Sequence, residues 1–305
     1  MSFEEWLGLL KRLAELSGSL HVLDIDASPF DGLLLNIDGY SAQDSRLPWM
    51  SWSDWGWKAT VAALSDIAAS GGKPAAIAYS VGAPSIQVME EVARGVGEAA
   101  RWAQVSVLKS DTNRARGDSW IDVAALGFTL RPVGRGNARP GDLLIQVGLL
   151  GYGLVATLAF EGKLEVAEFP ESLEYSRRPR PPLEIGHKLA ECGAAAAIDN
   201  SDGWAASLYQ LSLASEVRVG LESYLAANEA LEALGRVGAS EELLLQSWED
   251  YTLAVAAGRE AAECILAHCK KRRIPCAVVG ELREGRGVEF KGKEVPPLGW
   301  SPLPP

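Results

Sequence analysis

Asp38, Asp66, Asp111 and the pair Asp199 and Asp202 each end or interrupt an almost purely apolar run in this 305-residue chain. Asp38 follows Leu33-Leu34-Leu35-Asn36-Ile37, Asp66 lies within Val61 to Ala69, Asp111 follows Val105 to Ser110, and Asp199 closes Ala194 to Ile198. An ionised carboxylate buried alone costs several kcal/mol, so such positions are paired, hydrogen-bonded or bound to a metal. Oxygen-only ligands suit Mg²⁺, which is commonly shared with phosphate oxygens. Asp66 is the most diagnostic of them, because Val61, Leu64, Ile67 and Ala68 occupy most of its helix circumference and leave little room for a solvated face. Asp199-Asn200-Ser201-Asp202-Gly203 leaves a strand and opens a helix, and it reads both as an N-cap and as a divalent-metal clamp. Asp111 has the same double reading, with Lys109, Arg114 and Arg116 nearby as phosphate contacts or as a solvated turn.

Other chemistries find less support. There is no G-x-x-x-x-G-K-[ST] loop, since Gly71-Gly72-Lys73-Pro74 is a helix stop, and Gly148-Leu149-Leu150-Gly151-Tyr152-Gly153 lacks dinucleotide-fingerprint spacing. His21, His187 and His268 sit in no nucleophile context that would build a Ser-His-Asp triad. Cys192, Cys264, Cys269 and Cys276 contain no C-x-x-C pair, which favours buried thiols over a zinc set.

The elements that must position these carboxylates alternate along the chain. Apolar spacing predicts a helix over 3–16, a strand at 32–38, an irregular Trp-rich segment over 40–55, a helix over 56–70, a strand at 75–82, a helix over 86–103, and strands at 104–109 and 119–130. The turn-rich stretch Arg131 to Asp142 is the best boundary, dividing the chain into domains 1–134 and 135–305. Beyond it come strands at 143–147, 195–199, 217–221, 251–256 and 275–279, with helices at 153–161, 183–192, 203–214, 225–234, 239–246 and 258–270. The expected class is α/β (α+β): a mixed sheet with helices in the N-terminal domain, followed by an α/β C-terminal domain.

Apolar residues make up 48% of the chain, enough for two cores. A formal charge of −11 opposes a nucleic-acid surface. No apolar run reaches the roughly 18–20 residues that span a bilayer, and the acidic start, Met1 to Trp6, is unlike a secretory signal. These features lead us to expect a cytoplasmic protein with neither nucleic-acid nor membrane partners.

Taken together, the motifs resemble the thiamine-monophosphate kinase branch of the aminoimidazole-ribonucleotide synthetase related (PurM-like) superfamily, from Asp24 to Trp300. Asp24-Ile25-Asp26-Ala27-Ser28 stands for its G-D-D-A-A segment, Asn36-Ile37-Asp38 for [ST]-T-D, and Trp57-Lys58-Ala59 through Leu64-Ser65-Asp66-Ile67-Ala68-Ala69-Ser70-Gly71 for its W-K-A…L-S-D helix. Lys109-Ser110-Asp111-Thr112 partly matches G-G-D-T, and Arg135 to Asp142 matches R-x-G-A-[KR]-P-G-D. Ile198 to Gly203 keeps I-D-x-S-D-G, and Trp248-Glu249-Asp250-Tyr251-Thr252-Leu253 corresponds to G-E-D-Y-E-L. The G-x-H-F segment is replaced by Asp44-Ser45-Arg46-Leu47, with Ser45 in the place of its histidine. The resemblance implies a homodimer that pairs its N-terminal sheets and uses Mg²⁺ and ATP to phosphorylate thiamine monophosphate. Asp26, Asp38, Asp66, Asp111, Asp199 and Asp202 would hold metal, Ser110, Asp111, Arg135 and Ser201 would approach ATP, and Ser45, Glu249 and Trp300 would contact the acceptor. A purine cyclo-ligase type of enzyme and a catalytically silent nucleotide-binding paralogue remain the alternatives. No reactive Cys stands early in the chain or at its end, as in the selenophosphate and hydrogenase-maturation branches.

Overall fold

The computed structural model describes residues 3–19 and 24–299. The first half forms α1 (Phe3–Ser17), β1 (Ser28–Phe30), β2 (Leu33–Ser41), α2 (Ala42–Ser45), α3 (Trp52–Ala69), β3 (Lys73–Ala83), α4 (Ile86–Ala103), β4 (Ser106–Arg114) and β5 (Trp120–Phe128). The second forms β6 (Leu143–Val147), α5 (Tyr152–Phe160), α6 (Pro170–Arg177), α7 (Gly186–Cys192), β7 (Ala196–Asp199), α8 (Trp204–Ser215), β8 (Val217–Leu221), α9 (Asn228–Val237), β9 (Leu253–Ala257), α10 (Arg259–Arg272), β10 (Cys276–Glu284), β11 (Gly287–Phe290) and β12 (Lys293–Val295).

Two sheets result, with strand orders β1-β2-β5-β3-β4 and β12-β11-β8-β10-β6-β9-β7. In the first, β3 and β4 run parallel because the crossover helix α4 joins them, while the other pairs are antiparallel. Helices α3 and α4 cover one face of that sheet. Leu34, Ile77, Val81, Ile121, Val123 and Ala125 meet Trp55, Leu64, Ile67, Val92 and Val96 there. The alternation of β2 sends Leu35 and Ile37 to the other face, where they are 54% and 68% exposed. The second sheet is covered on both faces, with Ile198 and Leu208 in one core and Ala197, Leu189 and Ile265 in the other. The two sheets fall on either side of the Arg131 to Asp142 stretch.

Helix α3 is the element shared by both halves. Gly56 and Gly95 let it cross α4 at close range, since a Cβ on Gly95 would lie 1.8 Å from the Ser53 carbonyl oxygen. At its far end Ala69 enters the core of the second sheet. Being wrapped on nearly all sides explains its apolar circumference, and leaves Asp54 and Lys58 as buried charges and Asp66 as a half-buried one.

Three expectations are corrected. The Trp-rich segment is not irregular throughout: β2 runs to Ser41, a short α2 follows, and α3 begins at Trp52 because Ser51 and Asp54 form a reciprocal capping box. The 104–109 strand extends to Arg114 as β4 and is exposed along its whole length, because it is an edge strand; the apolar run before Asp111 is therefore not buried. Cys192 and Cys264 are not free thiols but a disulfide tying α7 to α10, whose packing side by side brings the two Cα atoms to 5.7 Å. Cys269 is a buried thiol.

Candidate active site between the two sheets

The site forms where β2 and α3 of the first half meet the β7–α8 turn of the second. β7 delivers Asp199 at its C-terminal end, and Ser207 at the start of α8 donates to the Asp199 carbonyl at 2.8 Å. Asn200 staples the turn, donating to the Ser247 carbonyl at 2.9 Å and accepting from the Gly203 N–H at 3.1 Å. The Glu249 and Tyr251 N–H groups donate to the carbonyls of Ser201 and Asn200. Glu249 and Tyr251 both adopt left-handed backbone, at φ 53° and 50°, to make that contact.

Asp26, Asp66 and Asp199 each place a carboxylate oxygen within 4.8 Å of the others. One Asp26 oxygen pairs with Arg135, whose guanidinium also donates to Gln210 at 2.7 Å, while Asp26 Oδ2 is buried with no hydrogen-bond partner among the described residues. Asn36 Nδ2 donates to Asp66 at 2.6 Å and to Asp38 at 3.3 Å, and Ser65 Oγ donates to Asp199 at 2.7 Å. Burial pushes the Asp26, Asp66 and Asp199 carboxyls upward, Arg135 opposes it at Asp26, and neighbouring carboxylates add to it at Asp66 and Asp199. Asp38 is pushed up to about 7 and Asp202 to about 6, by burial first and then by nearby carboxylates. Mutual repulsion of this kind, with an orphaned buried oxygen at its centre, fits a divalent cation bound by oxygen ligands.

Two cavities meet here. The larger, about 1010 Å³ with its open mouth, is lined by Asp38, Asp66, Asp199, Ser201 and Asp202 among others. The smaller, about 650 Å³, is lined by Leu47, Phe160, Tyr175 and Trp248, with Arg46 and Lys58 as its cations. Asp44, Trp248 and Glu249 line both.

The other expected residues fall differently. Ser45 lines the larger cavity, but its hydroxyl accepts from the Trp55 indole at 2.8 Å and donates to the Ser41 carbonyl at 2.6 Å. Ser110 and Asp111 are not brought to the carboxylate group within one chain. Ser110 is in register with Tyr79, Val123 and then Asp38, three strands and roughly 14 Å away. Trp300 lies outside the described residues, although Gly299 just before it sits against Asp202 and Gly203. Sequence reasoning assigned no part to Asn36, Ser65 or Lys58. Lys58 carried the same signal as Asp66, a charge inside an apolar helix.

Comparison with known proteins bears on the family and the fold. The family models for the AIR synthase related protein N-terminal and C-terminal domains match residues 21–129 and 139–293. The chain belongs to that family. A thiamine-monophosphate kinase of Pyrobaculum calidifontis is 31% identical, over 94% of this chain and 92% of its own length. One from Pyrococcus abyssi is 32% identical, over 83% and 80%. A solved structure of AaThiL complexed with AMPPCP and TMP superposes with a TM-score of 0.86 at 26% identity, covering 99% of both chains. Within the family, the chain is an enzyme of the thiamine-monophosphate kinase branch with its two-domain PurM-like fold.

Proposed function

We propose that this enzyme transfers the γ-phosphoryl group of ATP directly to the phosphate of thiamine monophosphate, giving thiamine diphosphate. The observation that carries the reading is an acid-lined cavity opening beside an apolar, aromatic one, with Glu249 at the junction. The acidic side suits metal-chelated phosphates. The apolar side, with Trp248, Tyr175, Phe160 and the Glu249 carboxylate, suits a flat cationic ring. Kinship with proteins named thiamine-monophosphate kinase, and a related structure holding AMPPCP and TMP, support the same substrates.

Mg²⁺ would be held by Asp26, Asp38, Asp66, Asp199 and Asp202, and when bound it would neutralise phosphate charge. The chain's own residues then have a positioning task. Asn36, Ser65 and Arg135 orient the carboxylates through the hydrogen bonds described above. An acceptor phosphate is already anionic at neutral pH, so the transfer needs no side-chain base or covalent intermediate.

We take 1–134 as the ATP-binding and dimerisation domain and 135–305 as its partner domain, in a cytoplasmic homodimer. The first sheet supports this with an outer face exposing Leu35, Ile37, Leu108 and Phe128, and with β4 as an uncapped edge. In that assembly Ser110, Asp111, Arg135 and Ser201 would approach ATP, and Trp300 would be an acceptor contact.

Among the described residues no helix is long and apolar enough to cross a membrane. A disulfide in a cytoplasmic enzyme is at home chiefly in hyperthermophiles.

The test is incubation with Mg²⁺, ATP and thiamine monophosphate, followed by phosphorus NMR, with Asp202→Asn as control. Thiamine diphosphate and ADP should appear with the native protein and not with the variant. ATP binding without thiamine diphosphate at any assay temperature would overturn the proposal.

A further inference from the structure

Lys58 is a lysine in the middle of α3 that is only 1% exposed. Its ammonium donates to Glu249 Oε2 at 2.8 Å and to the Ser45 carbonyl at 2.6 Å, and it lies 5.8 Å from the centre of the Tyr40 ring. Burying an ammonium is costly even when it is paired, and an apolar side chain of similar volume would serve packing at least as well. The stability of α3 therefore does not account for a charge at this position.

Its partners show what it does there. Ser45 ends α2, in the segment that carries Asp44, Arg46 and Leu47 into the walls of the cavities. Glu249 belongs to the loop that leads into β9 and hydrogen-bonds the Asp199–Gly203 turn, and its side chain is 16% exposed. A single ammonium thus ties the cavity wall built by the first half to the one built by the second. It also binds Glu249 by one named oxygen, Oε2, while the left-handed backbone at φ 53° fixes where the side chain starts. A glutamate with several rotatable bonds is held on the line where the two cavities meet.

We propose that Lys58 is a positioning residue for acceptor recognition: it locks Glu249 at the junction, so that the carboxylate meets the cationic ring of the acceptor while the acceptor phosphate reaches the acidic cavity. The inference rests on the phosphoryl-transfer reading above and assigns to Lys58, which lines the smaller cavity, a part exerted through Glu249. Removing Lys58 frees Glu249 to rotate and draws the Ser45 segment away from the pocket. Acceptor binding weakens, while the carboxylate group that serves the nucleotide is untouched.

The experiment is steady-state kinetics on the full-length enzyme with Lys58→Met, Glu249→Gln and the double variant, together with calorimetric titration of thiamine monophosphate in the presence of AMPPCP. Lys58→Met should raise the acceptor KM roughly tenfold and leave the KM for ATP within about a factor of two. The double variant should bind the acceptor no worse than Glu249→Gln alone, because Lys58 acts through that carboxylate. An unchanged acceptor KM in Lys58→Met, an equal rise in the KM for ATP, or multiplied effects in the double variant would each overturn the assignment. If Lys58→Met does not fold, the comparison of Glu249→Gln with the double variant still decides, since the amide oxygen in Glu249→Gln and the Ser45 carbonyl still accept from the Lys58 ammonium and the double variant carries neither charge. Turnover by the native enzyme separates this proposal from the one it rests on: no thiamine diphosphate from the native protein sinks the kinase reading, whereas normal native turnover with the wrong pattern in the variants sinks only the part given to Lys58.

Discussion

Replacing Asp66 with Asn should stabilise the metal-free protein and remove most of its response to Mg²⁺. Asp66, Asp26 and Asp199 place oxygens within 4.8 Å of one another. Two unit charges at that distance repel by ~3.5 kcal/mol at an effective dielectric constant of about 20. Burial first pushes all three carboxyls upward, neighbouring carboxylates add to this at Asp66 and Asp199, and proton uptake relieves part of the repulsion there. Arg135 attracts what remains of the charge. An Asn at position 66 keeps an oxygen to accept from Asn36, so the net gain should be about 1–3 kcal/mol, or roughly 2–10 °C in Tm. The assay is calorimetric unfolding in EDTA and in excess Mg²⁺, at pH 8 and at pH 5. Because these carboxyls have folded pKa values raised above the unfolded ones, their favourable contribution is complete below about pH 4 and is lost as pH rises through the folded values, about 7 for Asp38. The native protein should therefore gain more from Mg²⁺ at pH 8 than at pH 5, and the advantage of Asp66→Asn in EDTA should shrink at pH 5. A variant less stable than the native protein in EDTA at pH 8, or one retaining the full Mg²⁺ shift, would refute the electrostatic reasoning.

Reducing the Cys192–Cys264 bridge, which closes a span of 72 residues, should cost about 2–4 kcal/mol, seen as a fall in Tm with dithiothreitol that a Cys192→Ala variant no longer shows. Asp250 accepts from the Gly151 and Gly153 N–H groups at the start of α5 and from Ser247; Asp250→Asn should lower stability by about 1–3 kcal/mol in urea unfolding, because an amide turns a donor toward one of them. Gly95→Ala should lower Tm sharply or prevent folding, since the new Cβ would meet the Ser53 carbonyl oxygen at 1.8 Å and force α3 and α4 apart. Ile37→Lys should leave the fold intact and shift the protein from dimer toward monomer in light-scattering chromatography; a dimer that persists would remove the outer face of the first sheet as its interface.

Much of this protein is determined by local sequence. Most of the order of strands and helices follows from apolar periodicity, which did not reveal β1, α6, β11 or β12, and the Asp199–Gly203 turn follows from a polar cluster set between an apolar strand and an apolar helix. Asp66 announced itself because a charge in a helix with no solvated face must have an internal partner, and the same logic applies to Lys58. Tertiary structure decided what that logic leaves undefined, namely which partner. Asp26 stands 40 residues from Asp66 and 173 from Asp199, and only the packing of α3 between the two sheets brings their oxygens together. The same packing joins Lys58 to Glu249, and the packing of α7 against α10 joins Cys192 to Cys264. Asp111 shows the converse. Its apolar approach reads like that of Asp38, yet strand order puts it on an exposed edge, because a sheet position depends on which strands pair and not on the residues within one of them.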